Sequence, residues 1–471
     1  MLRLFKQFYP IRKVFFIFGE GFLIFLSVVA VSILFTGHDI VSIPSVLFLK
    51  AFLITLICQT CLYYNELYDV KILDDPQELL ARLAQALGAA AIILSGIHVM
   101  LRDELVDNKV FIICLVLISI LAVSWRYLYN IILDHGVFNK NIAVVGHGDL
   151  IETILLELSR KKDSGYNLRY LCPDTEEVTL HPDSNVAVHS LAENYNDLYE
   201  TIRGLNISMI VADTDNEVCS ESLEHELLQC RIHGVKVVDG NSFYEMATGK
   251  LDVKRVKQSW LIYSDGFQSS SHHRFVKRII DYTLSLILSV LVFPLILVTS
   301  VLIKLESPGP IFFSQERMGK DRKNYKMYKF RSMRTDAEKQ SGPAWSGQND
   351  SRITRVGKYI RNWRIDELPQ LLNVIKGDMS FVGPRPEREF FVNQLEKEIP
   401  YYGIRTSVKP GITGWAQVNY GYGASIDDAV EKLNYDLYYI KNASVFMDIY
   451  IVFRTTKTVI LGVESGEGGG S

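Results

Sequence analysis

Four long apolar stretches in the first third of the chain constrain the fold more than any other feature. They run over residues 14–35, 46–64, 83–101 and 110–132. Each is long enough to cross, as a helix, the hydrocarbon core of a bilayer, which is about 30 Å thick. The sequence therefore predicts that residues 1–135 form a four-helix transmembrane bundle.

Basic residues near these stretches predict the orientation of the bundle. The connector 36–39 contains no Lys or Arg, whereas the flanks of the first and fourth stretches are basic, with Arg3, Lys6, Arg12, Lys13 and Lys140. Because cytoplasmic flanks are enriched in Lys and Arg, both ends of the bundle are expected in the cytoplasm. Arg102 and Lys109 in the third connector count against this orientation.

Three charged residues, Glu20, Lys50 and Arg126, lie within or near the apolar stretches. A charge inside a membrane is a functional candidate by default. All three residues lie within reach of the end of a stretch, however, and long charged side chains extend readily to the interface. We therefore expect these side chains to reach the membrane surface.

The composition indicates that the chain has a water-soluble part in addition to this membrane part. Hydrophobic residues make up 48 % of the 471 residues, yet 22 % of the residues are charged. Because the length exceeds that of one ordinary domain, two or three units are expected. The expected fold class is a membrane protein with α and α/β parts. The net charge is −3 without a long run of one sign, so nucleic acid is not favoured as a partner.

Short β-rich runs, at residues 142–145, 168–172, 207–212 and 235–238, alternate with helical segments between residues 138 and 246. This alternation predicts a parallel, doubly wound sheet of the Rossmann type. The first run leads into Gly146 and Gly148, which match two glycines of the dinucleotide fingerprint, but Ile151 occupies the place of the third. Asp174 follows the second run, where a ribose-binding acid could lie. A structural or regulatory module is favoured over true dinucleotide binding.

A fifth apolar stretch, residues 282–303, follows a segment, 247–271, that is expected to be a linker. Pro294 interrupts the stretch, and basic residues flank both of its ends. Proline removes a helix hydrogen bond and kinks the axis. A complete crossing would also place one basic flank on the wrong side of the membrane. We therefore predict a re-entrant helix over about residues 280–304 within a catalytic domain, 272–464.

The segment 361–370 carries the residues with the clearest chemistry. Because proline is tolerated only in the first turn of a helix, Pro369 predicts a helix that begins close to Asp366, with Asp366 and Glu367 at its N-terminus. One interpretation is that these carboxylates only cap the helix. The other is catalytic and depends on the cations nearby.

Arg361, Arg364 and Arg385 lie close in sequence to the carboxylate pair. Guanidinium groups match phosphate oxygens in a bidentate geometry. A carboxylate is ionised at neutral pH, but an anionic pyrophosphate repels it, so its attack requires cations such as arginines and Mg²⁺. These residue types suit phosphoryl transfer through an acyl-phosphate intermediate.

Together with further motifs, residues 274–462 resemble the polyprenyl-phosphate hexose-1-phosphate transferases, also called monotopic phosphoglycosyl transferases. The motifs that carry the resemblance occur in the usual order, at residues 277–281, 307–310, 315–317, 328–333, 366–370, 380–386 and 409–417. The bundle and the Rossmann-like module resemble the enlarged members of this family. Residues 418–424 depart from the family's pattern, which puts in doubt the sugar that is accepted.

The resemblance implies a two-step reaction. Asp366 attacks the β-phosphate of a UDP-sugar, UMP leaves, and a polyprenyl phosphate then takes the phosphosugar from the enzyme. Glu367 either holds Mg²⁺ or deprotonates the acceptor. Such enzymes start exopolysaccharide or other glycoconjugate synthesis at the cytoplasmic face of the bacterial inner membrane, and the larger ones are expected to be homodimers.

The resemblance also implies the roles of individual residues. Asp366 and Glu367 are the expected catalytic residues and metal ligands. Residues expected at the substrate phosphates are Lys329, Arg331, Arg361, Arg385 and Asp436. Residues expected at the nucleotide are Lys409, Pro410, Gly411, Thr413 and Gly414, although their Pro-Gly pair could simply form a turn.

Two other functions compete with this interpretation. One is a non-catalytic, nucleotide-sensing membrane scaffold of a polysaccharide assembly system, which would be expected to have lost some of the residues just named. The other is hydrolysis of a nucleotide-sugar, with water in place of the lipid phosphate. The Gly-rich residues 465–471 are interpreted as a linker or tail.

Overall fold

The computed structural model describes most of the chain. The described residues are 2–4, 7–9, 11–36, 45–68, 76–100, 108–134, 139–145, 149–160, 165–172, 187–190, 198–213, 221–264, 266–267, 270–334, 352–421, 423 and 425–461. The chain divides into two compact units, one formed largely by Tyr9–Val238 and the other largely by Asp239–Ser471.

Long apolar helices dominate the N-terminal part of the chain. After the short paired strands β1 (Leu2–Leu4) and β2 (Gln7–Tyr9), the helices are α1 (Ile11–Thr36), α2 (Ser45–Tyr64), α3 (Pro76–Met100) and α4 (Asn108–Asp134). Among the described residues, these four helices are long and apolar enough to cross a membrane. The prediction of four apolar membrane helices is confirmed.

Polar side chains connect α1 to its neighbours inside the bundle. The amide of Gln59 on α2 donates to the carbonyl of Ile17 at 2.8 Å, and the indole of Trp125 on α4 donates to the carbonyl of Phe16 at 3.1 Å. Side-chain donors satisfied in this way hold helices together where no water is present.

Glu20 and Arg126 do not extend to the interface, so that expectation was wrong for both. Each side chain is only 1 % exposed, and Nη1 of Arg126 donates to Oε1 of Glu20 and to the carbonyl of Ala122. The guanidinium also lies over the ring of Phe16, 5.5 Å from its centroid. Because each charge has a partner across the bundle, neither needs to reach water.

A parallel α/β module follows the bundle. Its elements are β3 (Lys140–Val145), α5 (Asp149–Arg160), β4 (Tyr166–Cys172), β5 (Ala187–Ser190), α6 (Leu198–Gly204), β6 (Met209–Ala212), α7 (Glu221–Ile232) and β7 (Lys236–Asp239). The described strands form one sheet in the order β5-β4-β3-β6-β7, and β3 pairs in parallel with both β4 and β6. This is the order of one half of a Rossmann fold, as predicted. Gly146, Gly148 and Asp174 lie outside the described residues.

The second unit is mainly helical. Its elements are α8 (Gly240–Thr248), α9 (Gln258–Tyr263), α10 (Ser271–Leu291), α11 (Phe293–Glu306), β8 (Phe312–Met318), β9 (Asn324–Phe330), α12 (Arg355–Asn362), α13 (Leu371–Lys376), β10 (Ser380–Val382), α14 (Glu389–Glu398), β11 (Gly411–Thr413), α15 (Trp415–Asn419), α16 (Ile426–Asn442) and α17 (Val445–Leu461). In its described part, β8 pairs antiparallel with β9, and β10 pairs parallel with β11.

The boundary between the units differs from the predicted one at residue 246. Helix α8 belongs to the second unit, where the carboxylate of Glu245 accepts hydrogen bonds from Lys441 at 2.6 Å and from Asn442 at 2.8 Å. The ring of Trp260, in the predicted linker, lies 3.9 Å from the ammonium of Lys441. These partners are more than 180 residues apart in sequence, so no local pattern revealed them.

The fifth apolar stretch is divided between α10 and α11, which meet at a bend of 61°. Pro294 lies in the first turn of α11, so the predicted kink is confirmed at this place. The re-entrant path through a membrane stays a prediction.

Three residues between positions 277 and 281 of α10 attach this helix to the rest of the unit. Lys277 forms an ion pair with Asp448 at 2.7 Å, and Arg278 donates to the carbonyl of Val374 at 2.6 Å. The carboxylate of Asp281 accepts the backbone N–H of Phe381 at 3.1 Å. The motif 277–281 therefore positions the bent helix pair relative to the core.

Candidate active site

Asp366 and Glu367 lie in the first turn of a 3₁₀ helix, Ile365–Gln370, which leads into α13. The prediction of a helix that begins close to Asp366 is confirmed, although the first part of this helix is 3₁₀ and not α. Pro369 lies inside the 3₁₀ helix, and the residue at the cap is Arg364, whose φ is 56°. A left-handed residue turns the chain sharply, and here the turn separates the helix from α12. Both carboxylates are buried.

Two cations hold the carboxylate of Glu367. Its Oε1 accepts a hydrogen bond from the ammonium of Lys329 at 2.9 Å and another from the guanidinium of Arg385 at 2.9 Å. Lys329 comes from β9, and Arg385 comes from the loop after β10. Three separate segments therefore meet at this carboxylate.

The two adjacent carboxyl groups have different acidities. Burial raises the pKa of Asp366, the negative charge of Glu367 adds to this, and Lys329, Arg361 and Arg385 oppose it. Burial would also raise the pKa of Glu367, but Lys329 and Arg385 outweigh it and hold that pKa far below its ordinary value. Glu367 is therefore a fixed anion, and Asp366 is the more basic group.

The structure brings most of the predicted phosphate-binding cations to this pair. Arg361, near the end of α12, lowers the pKa of Asp366, and Arg364 does the same for Glu367. With Lys329 and Arg385 they surround the carboxylates with positive charge. Such a group of cations suits a polyanionic ligand.

Arg331 is the exception among these cations. Its guanidinium is buried and donates to the carbonyls of Ile303 at 3.2 Å, Ser307 at 2.7 Å and Pro308 at 2.9 Å. These carbonyls lie at the C-terminal end of α11 and just beyond it, where helix carbonyls lack intrahelical partners. The structure therefore places Arg331 at a helix end and not at the carboxylate pair.

Asp436 reaches the site only through another residue. Its Oδ2 accepts a hydrogen bond from Nε of Arg405 at 2.8 Å, and the carboxylate is almost fully buried. Nη2 of Arg405 in turn donates to the main-chain carbonyl of Arg385 at 3.0 Å. Sequence reasoning missed Arg405, because it lies in no motif and both of these partners are distant in sequence.

The segment 409–414, expected at the nucleotide, packs against the loop that bears Arg385. The backbone N–H of Gly411 donates to the carbonyl of Pro384 at 3.0 Å, and that of Gly383 donates to the carbonyl of Thr413 at 2.9 Å. A Cβ at Gly411 would collide with the backbone nitrogen of Gly383. Glycine is therefore required here by the close approach of two chains.

The side chains of Lys409 and Thr413, both in this segment, have different surroundings. Burial, with the nearby charge of Arg278, lowers the pKa of Lys409. The hydroxyl of Thr413 is within hydrogen-bond distance of that of Thr455, at 2.7 Å. Contact of this segment with a nucleotide stays a prediction.

Asp366 and Glu367 are the candidate ligands for a magnesium ion at this site. No cluster of three or more His, Cys, Asp or Glu side chains that could hold a metal occurs in the described residues. Mg²⁺ is commonly held by only one or two carboxylates together with substrate phosphates and water. Asp366 and Glu367 fit that arrangement.

These features define a membrane protein whose second unit holds a buried carboxylate pair surrounded by cations. The family model described as bacterial sugar transferase matches residues 272–462. Taken with its curated relatives, the chain belongs to this family, as the motifs predicted.

Three relatives illustrate the match. The UDP-N-acetylgalactosamine-undecaprenyl-phosphate N-acetylgalactosaminephosphotransferase of Aeromonas hydrophila is 44 % identical over 253 residues, 54 % of this chain and 59 % of the relative. The UDP-glucose:undecaprenyl-phosphate glucose-1-phosphate transferase of Escherichia coli (strain K12) is 43 % identical over 190 residues, 40 % of each chain. The putative undecaprenyl-phosphate N-acetylgalactosaminyl 1-phosphate transferase of Bacillus subtilis (strain 168) is 50 % identical over 138 residues, 29 % of this chain and 76 % of the relative. The chain thus spans about half the length of the first two relatives.

Proposed function

We propose that this protein transfers a sugar-1-phosphate from a UDP-sugar to a polyprenyl phosphate, most simply undecaprenyl phosphate. The observation that carries the proposal is the buried pair of Asp366 and Glu367, in which Lys329 and Arg385 hold one carboxylate and the other is the more basic. The names of the relatives, which combine a UDP-sugar or a sugar phosphate with undecaprenyl phosphate, support the same chemistry.

In the first step, a carboxylate oxygen of Asp366 attacks the β-phosphorus of the UDP-sugar. A bond forms between this oxygen and phosphorus, and the bond from phosphorus to the bridging oxygen breaks. UMP leaves with the electron pair, and the sugar phosphate remains on Asp366 as an acyl phosphate. Arg361 and Arg385 stabilise the charge on the phosphate oxygens and orient the donor for in-line attack.

In the second step, an oxygen of the polyprenyl phosphate attacks the same phosphorus. The acyl-phosphate bond breaks, the carboxylate of Asp366 is regenerated, and a polyprenyl diphosphate sugar is released. The bent pair α10 and α11 supports delivery of this lipid, since apolar side chains near the bend and the end of α11 are exposed, as at Leu291, Phe293 and Leu305.

Asp366 and Glu367 would hold a Mg²⁺ ion together with the donor's phosphates. When bound, the ion would neutralise charge on the pyrophosphate and so favour attack by an anionic carboxylate. Lys329 and Arg385 keep Glu367 ionised, which is the form a metal ligand requires.

The setting of this reaction follows from the flanking charges of the bundle. We place the second unit at the cytoplasmic face of the bacterial inner membrane, at the first membrane step of exopolysaccharide or other glycoconjugate synthesis. A homodimer is also expected. The relatives are named for N-acetylgalactosamine and for glucose, so either sugar is a reasonable first donor.

The proposal is tested by UMP release from UDP-hexoses in nanodiscs with undecaprenyl phosphate and Mg²⁺. Asp366→Asn is expected to abolish release and to prevent attachment of labelled sugar phosphate to the protein. Asp427→Asn is the matched control, because it makes the same change at a carboxylate that is 88 % exposed in a surface ion pair. Full turnover by Asp366→Asn would rule out the covalent mechanism.

A further inference from the structure

The loop that carries Arg385 is held by its own main-chain carbonyl groups. Residues 383–388 belong to neither a helix nor a strand. The carbonyl of Arg385 accepts a hydrogen bond from Arg405 at 3.0 Å, and the carbonyl of Pro386 accepts one from Arg317 at 3.2 Å. Two arginine side chains therefore bind two successive carbonyls of an irregular segment.

Backbone groups hold the loop on either side of these two positions. The carbonyl of Pro384 accepts from the N–H of Gly411 at 3.0 Å, and the carbonyl of Glu387 accepts from the N–H of Met318 at 3.0 Å. Four consecutive carbonyls thus have donors from outside the loop. Irregular backbone that is satisfied so completely has little freedom to move.

The local sequence also stiffens the loop. Arg385 stands between Pro384 and Pro386, and each proline fixes its own φ near −65°. A residue that precedes a proline is restricted to extended conformations, which applies here to Arg385 itself. The backbone at Arg385 is therefore constrained both covalently and by hydrogen bonds.

Arg405 is itself held rigidly. Only 11 % of its side chain is exposed, and Nε donates to the carboxylate of Asp436 at 2.8 Å while Nη1 donates to the hydroxyl of Tyr402 at 2.5 Å. With Nη2 on the carbonyl of Arg385, its guanidinium uses three nitrogen atoms on three partners. Lysine could not reproduce this planar fork.

Arg317 is held in a similar way on the other side of the loop. Nη2 donates to the side-chain oxygen of Gln315 at 2.7 Å, and Nη1 lies 3.4 Å from the carboxylate of Glu387. The motif 315–317 thus connects strand β8 to the loop. No substrate contact is needed to explain either arginine.

We infer that Arg405 and Arg317 are positioning residues, which hold the loop by its carbonyls so that the guanidinium of Arg385 meets Glu367 and the donor phosphate. The inference rests on the proposed function, because it deepens the role of Arg385 in that reaction. It assigns Asp436 an indirect part, as the anion that fixes Arg405.

A double-mutant cycle on the full-length protein in nanodiscs tests this inference. Arg405→Lys alone is expected to lower kcat/KM about tenfold, since small displacements of a substrate-positioning group cost up to about a hundredfold. It should also weaken the binding of UDP, measured by calorimetry with Mg²⁺ present. In an Arg385→Ala background, which keeps the carbonyl but removes the side chain, Arg405→Lys should add less than about a twofold loss.

Two further arms complete the experiment. Arg317→Lys should show the same coupling to Arg385, so the inference stays testable if Arg405→Lys fails to fold. Arg322→Lys is the control, because Arg322 forms its fork with Glu396 at the surface and should leave both readouts unchanged.

The inference would be overturned if Arg405→Lys and Arg317→Lys each lowered kcat/KM and UDP affinity by the same factor in the Arg385→Ala background as in the parent protein. If the parent protein binds UDP but releases no UMP, the proposed function fails, while the coupling in UDP affinity still decides whether these arginines position Arg385.

Discussion

Asp366 and Glu367 are neighbours in sequence, and their surroundings give them different properties. The cations from β9 and from the loop after β10 bind Glu367, and this charge in turn helps to keep the pKa of Asp366 raised. A more basic carboxylate is a better nucleophile once ionised, and a fixed anion is a better metal ligand. Removing a cation from Glu367 should therefore lower the rate of the proposed reaction.

Lys329→Met tests this dependence. The substitution leaves Glu367 with its ion pair to Arg385, and we expect kcat/KM for UMP release to fall about 10- to 100-fold, the range typical of removing a side chain that holds a metal ligand. Lys326→Met is the matched control, since Lys326 is an exposed lysine on the same strand. Equal activity in both variants would show that the ion pair at Glu367 is not needed.

Arg331→Lys should change stability rather than substrate binding. Lysine cannot bind the carbonyls of Ile303, Ser307 and Pro308 together, so a loss of about 2 kcal/mol in the free energy of unfolding is expected from two or more broken hydrogen bonds. The measurements are the melting temperature in detergent and the KM for the UDP-sugar. An unchanged melting temperature with a raised KM would instead support the phosphate contact that the motif suggested.

The residues at the site show which parts of it could be predicted from the sequence. Lys329, Arg361, Arg385 and the carboxylates were predicted from residue type and motif, and the structure brings them together. Arg331 was assigned with Lys329 because the two share a motif, but β9 ends at Phe330, so the alternation of faces does not continue to Arg331. Arg405 was not predicted, because it lies in no motif and its contacts with Asp436 and Arg385 depend on tertiary packing.

At the level of elements, the bent pair α10 and α11 is predicted to enter the membrane and turn back within it. A single cysteine at Ser271 and another at Leu305, each in a chain whose own cysteines have been replaced, test the re-entrant path. Both positions are exposed, and both are expected to be labelled only from the cytoplasmic side of sealed vesicles. Labelling of Leu305 from the opposite side would show that the pair crosses the membrane.

The ion pair between Glu20 and Arg126 connects α1 to α4. Glu20→Gln would leave Arg126 buried without its charge partner, and removing one partner of a buried pair typically costs about 3–5 kcal/mol. We expect a clear drop in melting temperature in detergent. The double variant Glu20→Gln with Arg126→Gln should lose less than the two single losses together, and strict additivity would show that the pair is not coupled.

The elements themselves were predictable to different degrees. The membrane helices followed from composition, because only long apolar helices satisfy their backbone groups in lipid. Strands β3, β4, β6 and β7 followed from their apolar runs, whereas β5 was missed in a short stretch without a clear pattern. A helix close to Asp366 was predicted, but its 3₁₀ form was not, since a proline near the start of a helix does not distinguish the two helix types.

At the scale of the whole molecule, the residues proposed to carry out the reaction all lie in the second unit. The family match covers residues 272–462, and a match of 138 residues already makes up 76 % of the Bacillus subtilis relative. The second unit begins earlier, however, at Asp239, because α8 and α9 pack onto it. The smallest active part should therefore include residues that the family match leaves out.

Two shortened chains test this boundary. A chain that begins at Asp239 keeps Glu245 and should retain UMP release in detergent to within about threefold. A chain that begins at Ala247 leaves Lys441 buried without its carboxylate, which is expected to cost about 3 kcal/mol or more in stability. Glu245→Gln in the full-length protein is the matched control and should lower the melting temperature similarly. If the two shortened chains are equally stable and active, α8 is not needed by the catalytic unit.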